Sequence, residues 1–246
     1  MSMEKRAAGR AKPAPGRRKS KTGDAPKGPK RRILLVDDHP MTREGLVSVI
    51  SREADLEVCC VASNAVEAMT ELSKSKPELV VTDLTMPGGG GLEFLKDVHA
   101  LLPELPILVL SMHDEMLYAE RALRAGASGY VMKDAGSVKL LEVIRLVLSG
   151  QSYVSPQMSA RLLDSMTGRR PRGSTSPIEK LSDREFEVFR LLGSGKSTKE
   201  VAGALHLSPK TVDVHRGHIK AKLQLKDAAS LIHHAVCWVE TEAARS

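Results

Sequence analysis

Ile33-Leu34-Leu35-Val36-Asp37-Asp38-His39-Pro40 is the stretch on which the reading of the fold turns. Four branched apolar residues in a row, with no polar residue between them, fit a strand buried on both faces. Two carboxylates close the strand. Pro40 then sits where a first helical turn tolerates it, because the missing N–H would have no partner there anyway. The same succession continues downstream. Val58 to Val61, Leu79 to Val81, Ile107 to Leu110 and Tyr130 to Met132 read as further buried strands, with helix-period patterns over 40–51, 64–74, 91–101, 115–125 and 137–148. Strict alternation of strand and helix predicts an α/β domain, a doubly wound five-stranded parallel sheet covered on both faces.

Outward from this block the composition changes. The chain has 246 residues, room for two domains with separate cores, and a formal net charge of +7. That charge is unevenly placed: residues 1–32 carry +10, residues 33–155 carry −8 and residues 156–246 carry +5. Residues 1–30 are rich in Lys, Arg, Pro, Gly and Ala and cannot bury enough apolar surface to offset chain entropy, so they are expected to be a disordered basic tail. Residues 31–150 form the α/β domain. Residues 151–177 are expected to be a linker with one short helix from Pro156 to Ser165, and 178–246 a second, all-helical domain. Three cysteines, Cys59, Cys60 and Cys237, show neither metal-clamp nor disulfide-framework spacing, which fits a reducing compartment. No apolar run approaches the roughly 18 residues of a membrane span. The charged start has no apolar stretch behind it, so a cytoplasmic protein is expected.

In an open parallel sheet, functional groups gather beyond the carboxyl ends of the strands. Here those ends carry Asp37-Asp38, Asp83, Ser111 and Lys133. Clustered carboxylates repel one another unless a hard cation sits among them, and Mg²⁺ suits such a site. A carboxylate beside that ion can attack a phosphoryl group, with an ammonium neutralising the transferred oxygens. Asp83, alone at its strand end, reads as the nucleophile; Asp37 and Asp38 hold the metal, Lys133 bonds the phosphoryl group and Ser111 senses it. Singly, each residue has an ordinary structural reading as a helix cap, a solvated amine or a loop hydroxyl. Together at the correct strand ends they are poorly explained by chance.

Through Val36-Asp37-Asp38-His39-Pro40, Thr82-Asp83-Leu84-Thr85-Met86-Pro87, Leu110-Ser111 and Gly126-Ala127-Ser128-Gly129-Tyr130-Val131-Met132-Lys133, residues 31–150 resemble a response-regulator receiver domain. The resemblance implies a flavodoxin-like 2-1-3-4-5 sheet and Asp83 as phosphoacceptor from a histidine kinase. It implies Mg²⁺ held by Asp38, Asp83 and the Thr85 carbonyl, with Asp37 assisting through water. Ser111 and Tyr130 become the switch, the hydroxyl turning toward phosphate while the ring moves inward. Two features depart from commoner receivers: Asp134 follows Lys133, and Gly88 to Gly91 follow Pro87, which predicts a flexible loop.

Beyond residue 177 only helix signals appear. Ser182 with Glu185 and Ser197 with Glu200 have capping-box spacing, Ser208 precedes Pro209, and Asp227 can cap a last helix. Residues 197–204 and 208–223 outline a helix-turn-helix. On the second helix Val212, Ile219 and Leu223 face inward beside His215, leaving Lys210, Asp213, Val214, Gly217 and Lys220 outward. Leu181-Ser182-Asp183-Arg184-Glu185, Ser197-Thr198-Lys199-Glu200-Val201-Ala202 and Leu207-Ser208-Pro209-Lys210-Thr211-Val212-Asp213-Val214-His215 resemble the LuxR-type helix-turn-helix, so the whole chain looks like a NarL/FixJ-type response regulator. That resemblance places base contacts at Asp213, Val214 and Gly217, with Lys210, Thr211 and Lys220 nearer phosphates. Some relatives carry Lys where Asp213 and Gly217 stand, so affinity per domain should be modest. Dimerisation on paired half-sites would compensate, with Leu231, Ile232 and Ala235 as candidate contacts, although packing within the domain explains them at least as well.

The expected protein is thus a two-component regulator, not an enzyme. A histidine kinase phosphorylates it, it pairs as a homodimer when phosphorylated, and it binds double-stranded promoter DNA. A phosphoryl sink that scarcely binds DNA is the alternative from another class. A metabolic phosphatase normally has a second acid two residues after its nucleophile, where this chain has Thr85. Gly193-Ser194-Gly195-Lys196-Ser197-Thr198 is no phosphate-binding loop, because Arg190 stands where the leading glycine belongs and no strand precedes it. His113-Asp114-Glu115 and His233-His234 lack the partners a metal site needs.

Overall fold

A computed structural model of the protein describes residues 28–86, 90–167 and 177–243. The basic tail expected over 1–30 therefore lies almost wholly outside the described residues, as do positions 87–89 of the glycine loop and 168–176 of the linker.

Five parallel strands, β1 (Arg31–Val36), β2 (Leu56–Ala62), β3 (Leu79–Thr82), β4 (Ile107–Ser111) and β5 (Gly129–Met132), form one sheet in the order β2-β1-β3-β4-β5. Between and after them run α1 (Pro40–Ser51), α2 (Ala65–Ser75), α3 (Gly91–Leu101), α4 (Glu115–Arg124) and α5 (Gly136–Leu148). Alternate residues of each strand feed opposite cores. Leu34 and Val36 pack with Leu72 of α2, Phe94 of α3 and Ala119 of α4, whereas Ile33 and Leu35 pack with Ile50 of α1 and Ile144 of α5. Each such fully buried side chain contributes roughly 1.5–3 kcal/mol, and a register slip of one residue would exchange the two cores.

Two irregularities matter later. Ile33 pairs with Val58 but Leu34 with Cys60, so Cys59 is the extra residue of a β-bulge in the outermost strand. At the other edge, Tyr153 bridges Gly129, accepting from the Tyr130 N–H at 2.9 Å and donating to the Ser128 carbonyl at 3.1 Å. The chain leaving α5 thus covers the open side of β5 before α6 (Pro156–Met166) begins.

The second domain comprises α7 (Asp183–Gly193), α8 (Thr198–Ala204), α9 (Pro209–Leu223) and α10 (Ala228–Ala243). Both expected capping boxes form, Ser208 caps α9 through the Thr211 N–H, and Asp227 accepts from the Ser230 N–H at 2.7 Å. Leu231 and Ala235 are completely buried beneath α7, so of the three α10 residues considered for dimer contacts only Ile232 is exposed. No described helix is long and apolar enough to cross a membrane.

The domains are joined through α4 and the start of α7. Arg121, nearly buried on α4, donates to the carbonyls of Leu181 at 2.9 Å and Ile178 at 3.1 Å, pairs with Asp183 at 3.3 Å and lies 4.5 Å over the Phe186 ring. Lys96 on α3 pairs with the same Asp183 at 3.1 Å, and Arg161 on α6 with Glu179 at 2.7 Å.

Candidate functional site

The strand order reverses between β1 and β3, and the crevice this opens lies where their carboxyl ends meet. Asp37 follows β1 and is 1 % exposed; Asp83 follows β3 and is 5 % exposed. The Lys133 ammonium, from the end of β5, donates to Asp37 Oδ2 and Asp83 Oδ2, each at 2.8 Å. Burial works against that ammonium, but its bonds to the two carboxylates outweigh the cost and raise its pKa above the usual lysine value. The second oxygens are also engaged. Asp37 Oδ1 accepts from the His39 N–H at 2.8 Å and Asp83 Oδ1 from the Thr85 N–H at 3.1 Å.

Asp38 differs. Its Oδ1 is buried and accepts no hydrogen bond, although His39 Nδ1 lies 2.7 Å away. Oxygens of Asp37, Asp38 and Asp83 and a His39 nitrogen all fall within 4.8 Å of one another. An all-oxygen carboxylate set with one oxygen lacking a donor fits a small hard cation such as Mg²⁺; the imidazole of His39 does not belong to that ligand class.

The loop after β4 ties this pocket to the rest of the molecule. Ser111, fully buried, accepts at Oγ from the His113 N–H at 3.2 Å, and the Tyr130 hydroxyl donates to the His113 carbonyl at 2.8 Å. The His113 ring bonds Thr85 Oγ1 through Nε2 at 2.7 Å. Burial, then the positive charge of Arg190, push the imidazole down to about 4, so it is neutral at physiological pH. Burial pushes the Tyr130 phenol well above its ordinary value, keeping it a donor. The Tyr130 ring is completely buried. From His113 a file of rings leaves the receiver: it stacks on Tyr118 at 4.5 Å, Tyr118 meets Phe186 edge-on at 5.0 Å, and Phe186 meets Trp238 at 5.5 Å. Gly91, the first residue of α3, packs tightly against the chain that follows β3. A Cβ there would lie 2.1 Å from the Leu84 carbonyl oxygen, beside Asp83.

On the second domain, α9 buries Val212 and Ile219 and turns Lys210, Asp213, Val214 and Gly217 to solvent; Thr211 and Lys220 are half-buried. The Thr211 hydroxyl bonds Ser208 Oγ at 2.8 Å, so a phosphate contact from it would replace that bond. Asp213 is not a bare negative charge: Arg216 pairs with it at 3.2 Å and also donates to Thr198 Oγ1 at 2.9 Å. The hydrogen bonds and ion pairs described above between the domains come from α7 or the turn before it. The glycine-lysine stretch at 193–198 is the junction of α7 and α8, with no strand before it. His233 lies beside Cys237 and His234 against Phe189, so the two rings diverge.

His113, Tyr118, Arg121 and Arg216 are thus added to the residues read from sequence. From the sequence His113 reads as a loop residue and not as a metal ligand. Its adjacency to Ser111 was the available signal, since a residue two beyond a buried strand-end hydroxyl shares its loop.

The chain matches the response regulator receiver domain family over residues 33–145 and the luxR family of bacterial regulatory proteins over 179–235. It is 34 % identical to the oxygen regulatory protein NreC of Staphylococcus carnosus over 209 residues, which are 83 % of this chain and 96 % of the relative. Among solved structures, a LuxR-family two-component response regulator from Aurantimonas is 35 % identical, with a TM-score of 0.53 over 56 % of this chain and 99 % of that one. Salmonella RcsB, solved on the rprA promoter with a phosphomimetic, shares the fold at 23 % identity and a TM-score of 0.65, over 85 % of this chain and 99 % of that one. With a receiver sheet whose acid pocket lies at its switch point, followed by a helix-turn-helix of LuxR type, this chain belongs to the NarL/FixJ-type response regulators.

Proposed function

We propose that this regulator is phosphorylated on Asp83 by a histidine kinase, and that the phosphorylated form pairs and binds promoter DNA in the cytoplasm. The observation that carries the reading is the joint hold of Lys133 on Asp37 and Asp83 beside the buried Asp38 oxygen. Asp83 supplies a carboxylate oxygen to the phosphorus atom as the bond to the donor's leaving group breaks. Lys133, already 2.8 Å from that carboxylate, follows the negative charge onto the transferred oxygens. Asp37, Asp38, Asp83 and the Thr85 carbonyl would hold Mg²⁺, which neutralises charge on those oxygens when bound. The chain is an acceptor of phosphoryl groups and not an enzyme, any self-dephosphorylation being incidental.

Ser111 carries the signal inward. Once its hydroxyl donates to a phosphoryl oxygen, it pulls on the loop whose next residues hold Thr85, Tyr130 and Tyr118 together through His113. Tyr118 touches Phe186, so α7 is the element of the DNA-binding domain that feels the change. In the paired form α9 docks in the major groove: Asp213, Val214 and Gly217 face base edges, and Lys210, Thr211 and Lys220 face phosphates.

Incubation with Mg²⁺ and acetyl phosphate, followed by intact mass and dimerisation, tests the reading. Wild type is expected to gain one base-labile phosphoryl group and associate, and Asp83→Asn to do neither. An unmodified wild type, or an equally modified mutant, overturns it.

A further inference from the structure

In an unbroken strand, neighbouring side chains point to opposite faces of the sheet. Cys59 and Cys60 escape that rule because Cys59 is the bulged residue of β2. Their Sγ atoms lie 3.2 Å apart, and Cys59 Sγ also reaches the Ile33 carbonyl at 3.4 Å. Both thiols are free and half-buried on the outermost strand of the sheet, and the next residue, Val61, is 46 % exposed. Small solutes therefore have a path to this edge. Burial pushes the Cys60 thiol up to about 11, which makes it a poor first nucleophile.

We propose that Cys59 and Cys60 are a vicinal dithiol that a hydroperoxide closes, reversibly, to a disulfide. The Cys59 sulfur, having lost its proton, attacks one peroxide oxygen; the O–O bond breaks, and the other oxygen leaves as an alcohol or water. Cys59 is then a sulfenic acid. The Cys60 sulfur attacks the Cys59 sulfur, the S–O bond breaks, and the hydroxyl departs as water with the Cys60 proton. Two thiols have lost two electrons in total, and the hydroperoxide has gained them.

The ring so formed is strained. Adjacent α-carbons across a trans peptide stand ~3.8 Å apart, short of the ~4.4–6.8 Å that disulfides ordinarily span. Strain makes the bond easy to reduce, which suits a reversible modification better than a permanent staple. It also falls on a sensitive place. Cys60 is the ladder partner of Leu34, and two residues on, the Ala62 carbonyl accepts from the Asp37 N–H at 3.1 Å. Distortion of the 59–60 peptide therefore acts directly on the backbone that carries the acid pocket.

Hydrogen peroxide added to the reduced full-length protein, followed by intact mass and peptide mapping, tests the site. The expected result is loss of ~2 Da confined to the peptide holding both residues, restored by dithiothreitol. Cys237→Ser should keep this behaviour. Cys59→Ser and Cys60→Ser should each abolish it. Oxygen addition at Cys59 or Cys60 of wild type without the mass loss overturns the proposal, as does an absence of any change. The wild-type peptide map decides the matter even where a serine variant fails to fold.

Discussion

With its ammonium bonded to Asp37 and Asp83 at once, Lys133 holds together two buried carboxylates that would otherwise repel each other. Lys133→Met removes the shared partner and leaves both charges in place, a loss on the order of 3–5 kcal/mol for a buried pair. A divalent cation can substitute for that missing charge. The variant should therefore melt well below wild type without Mg²⁺ and regain more of its midpoint than wild type when Mg²⁺ is added; a Mg²⁺-independent midpoint would sink the pocket reading. His113 makes a separate demand. Its folded pKa is about 4, below the unfolded value near 6.5, so its contribution is complete above pH 6.5 and is lost as pH falls toward 4. Wild type should lose on the order of 3 kcal/mol over that window relative to His113→Phe, measured by denaturant unfolding at each pH. Parallel pH profiles would contradict it.

At the scale of elements, α7 and α10 cross so closely at Gly193 that a Cβ there would lie 2.4 Å from the Ala235 carbonyl oxygen. Backbone cannot yield as a side-chain tip can. Gly193→Ala should part the helices and destabilise the helical domain by about 1–3 kcal/mol, while leaving phosphoryl uptake by the receiver unchanged. Both effects are readable, by domain-resolved hydrogen exchange and by intact mass. The strands and their order of use were legible because Ile33 to Val36 and Ile107 to Leu110 are unbroken apolar runs with chemistry-bearing residues at their ends. Helix starts were legible because Ser182, Ser197 and Ser208 are local signals whose partners lie three residues away. The bulge at Cys59 was not, since register belongs to two strands and no local pattern marks it. Arg121 was not either. It reads as a cation on a helix surface, and its partners lie 57 to 62 residues downstream. For Leu231 and Ala235 the sequence left dimer contact and internal packing both open, because an apolar stripe on a last helix does not say which neighbour it meets; they pack internally.

For the whole molecule, the joint between domains centres on one buried guanidinium and a file of rings, flanked by the Lys96–Asp183 and Arg161–Glu179 ion pairs. Arg121→Ala leaves two carbonyls without their donor, and hydrogen bonds to a charged group are each worth about 1.5–3 kcal/mol. The domains should separate: the radius of gyration by small-angle scattering rises, and the linker is cut sooner by protease. An unchanged radius would show that the ring contacts and the remaining ion pairs hold the joint without Arg121. Because α9 faces water while the domains are joined, Lys210 and its neighbours can meet any passing duplex at any time. A basic surface that is never put away slides and hops along nucleic acid in fast, shallow exchange. Under the proposed function the search for a promoter is then always under way, and pairing of the phosphorylated form sets how long the protein pauses when it arrives.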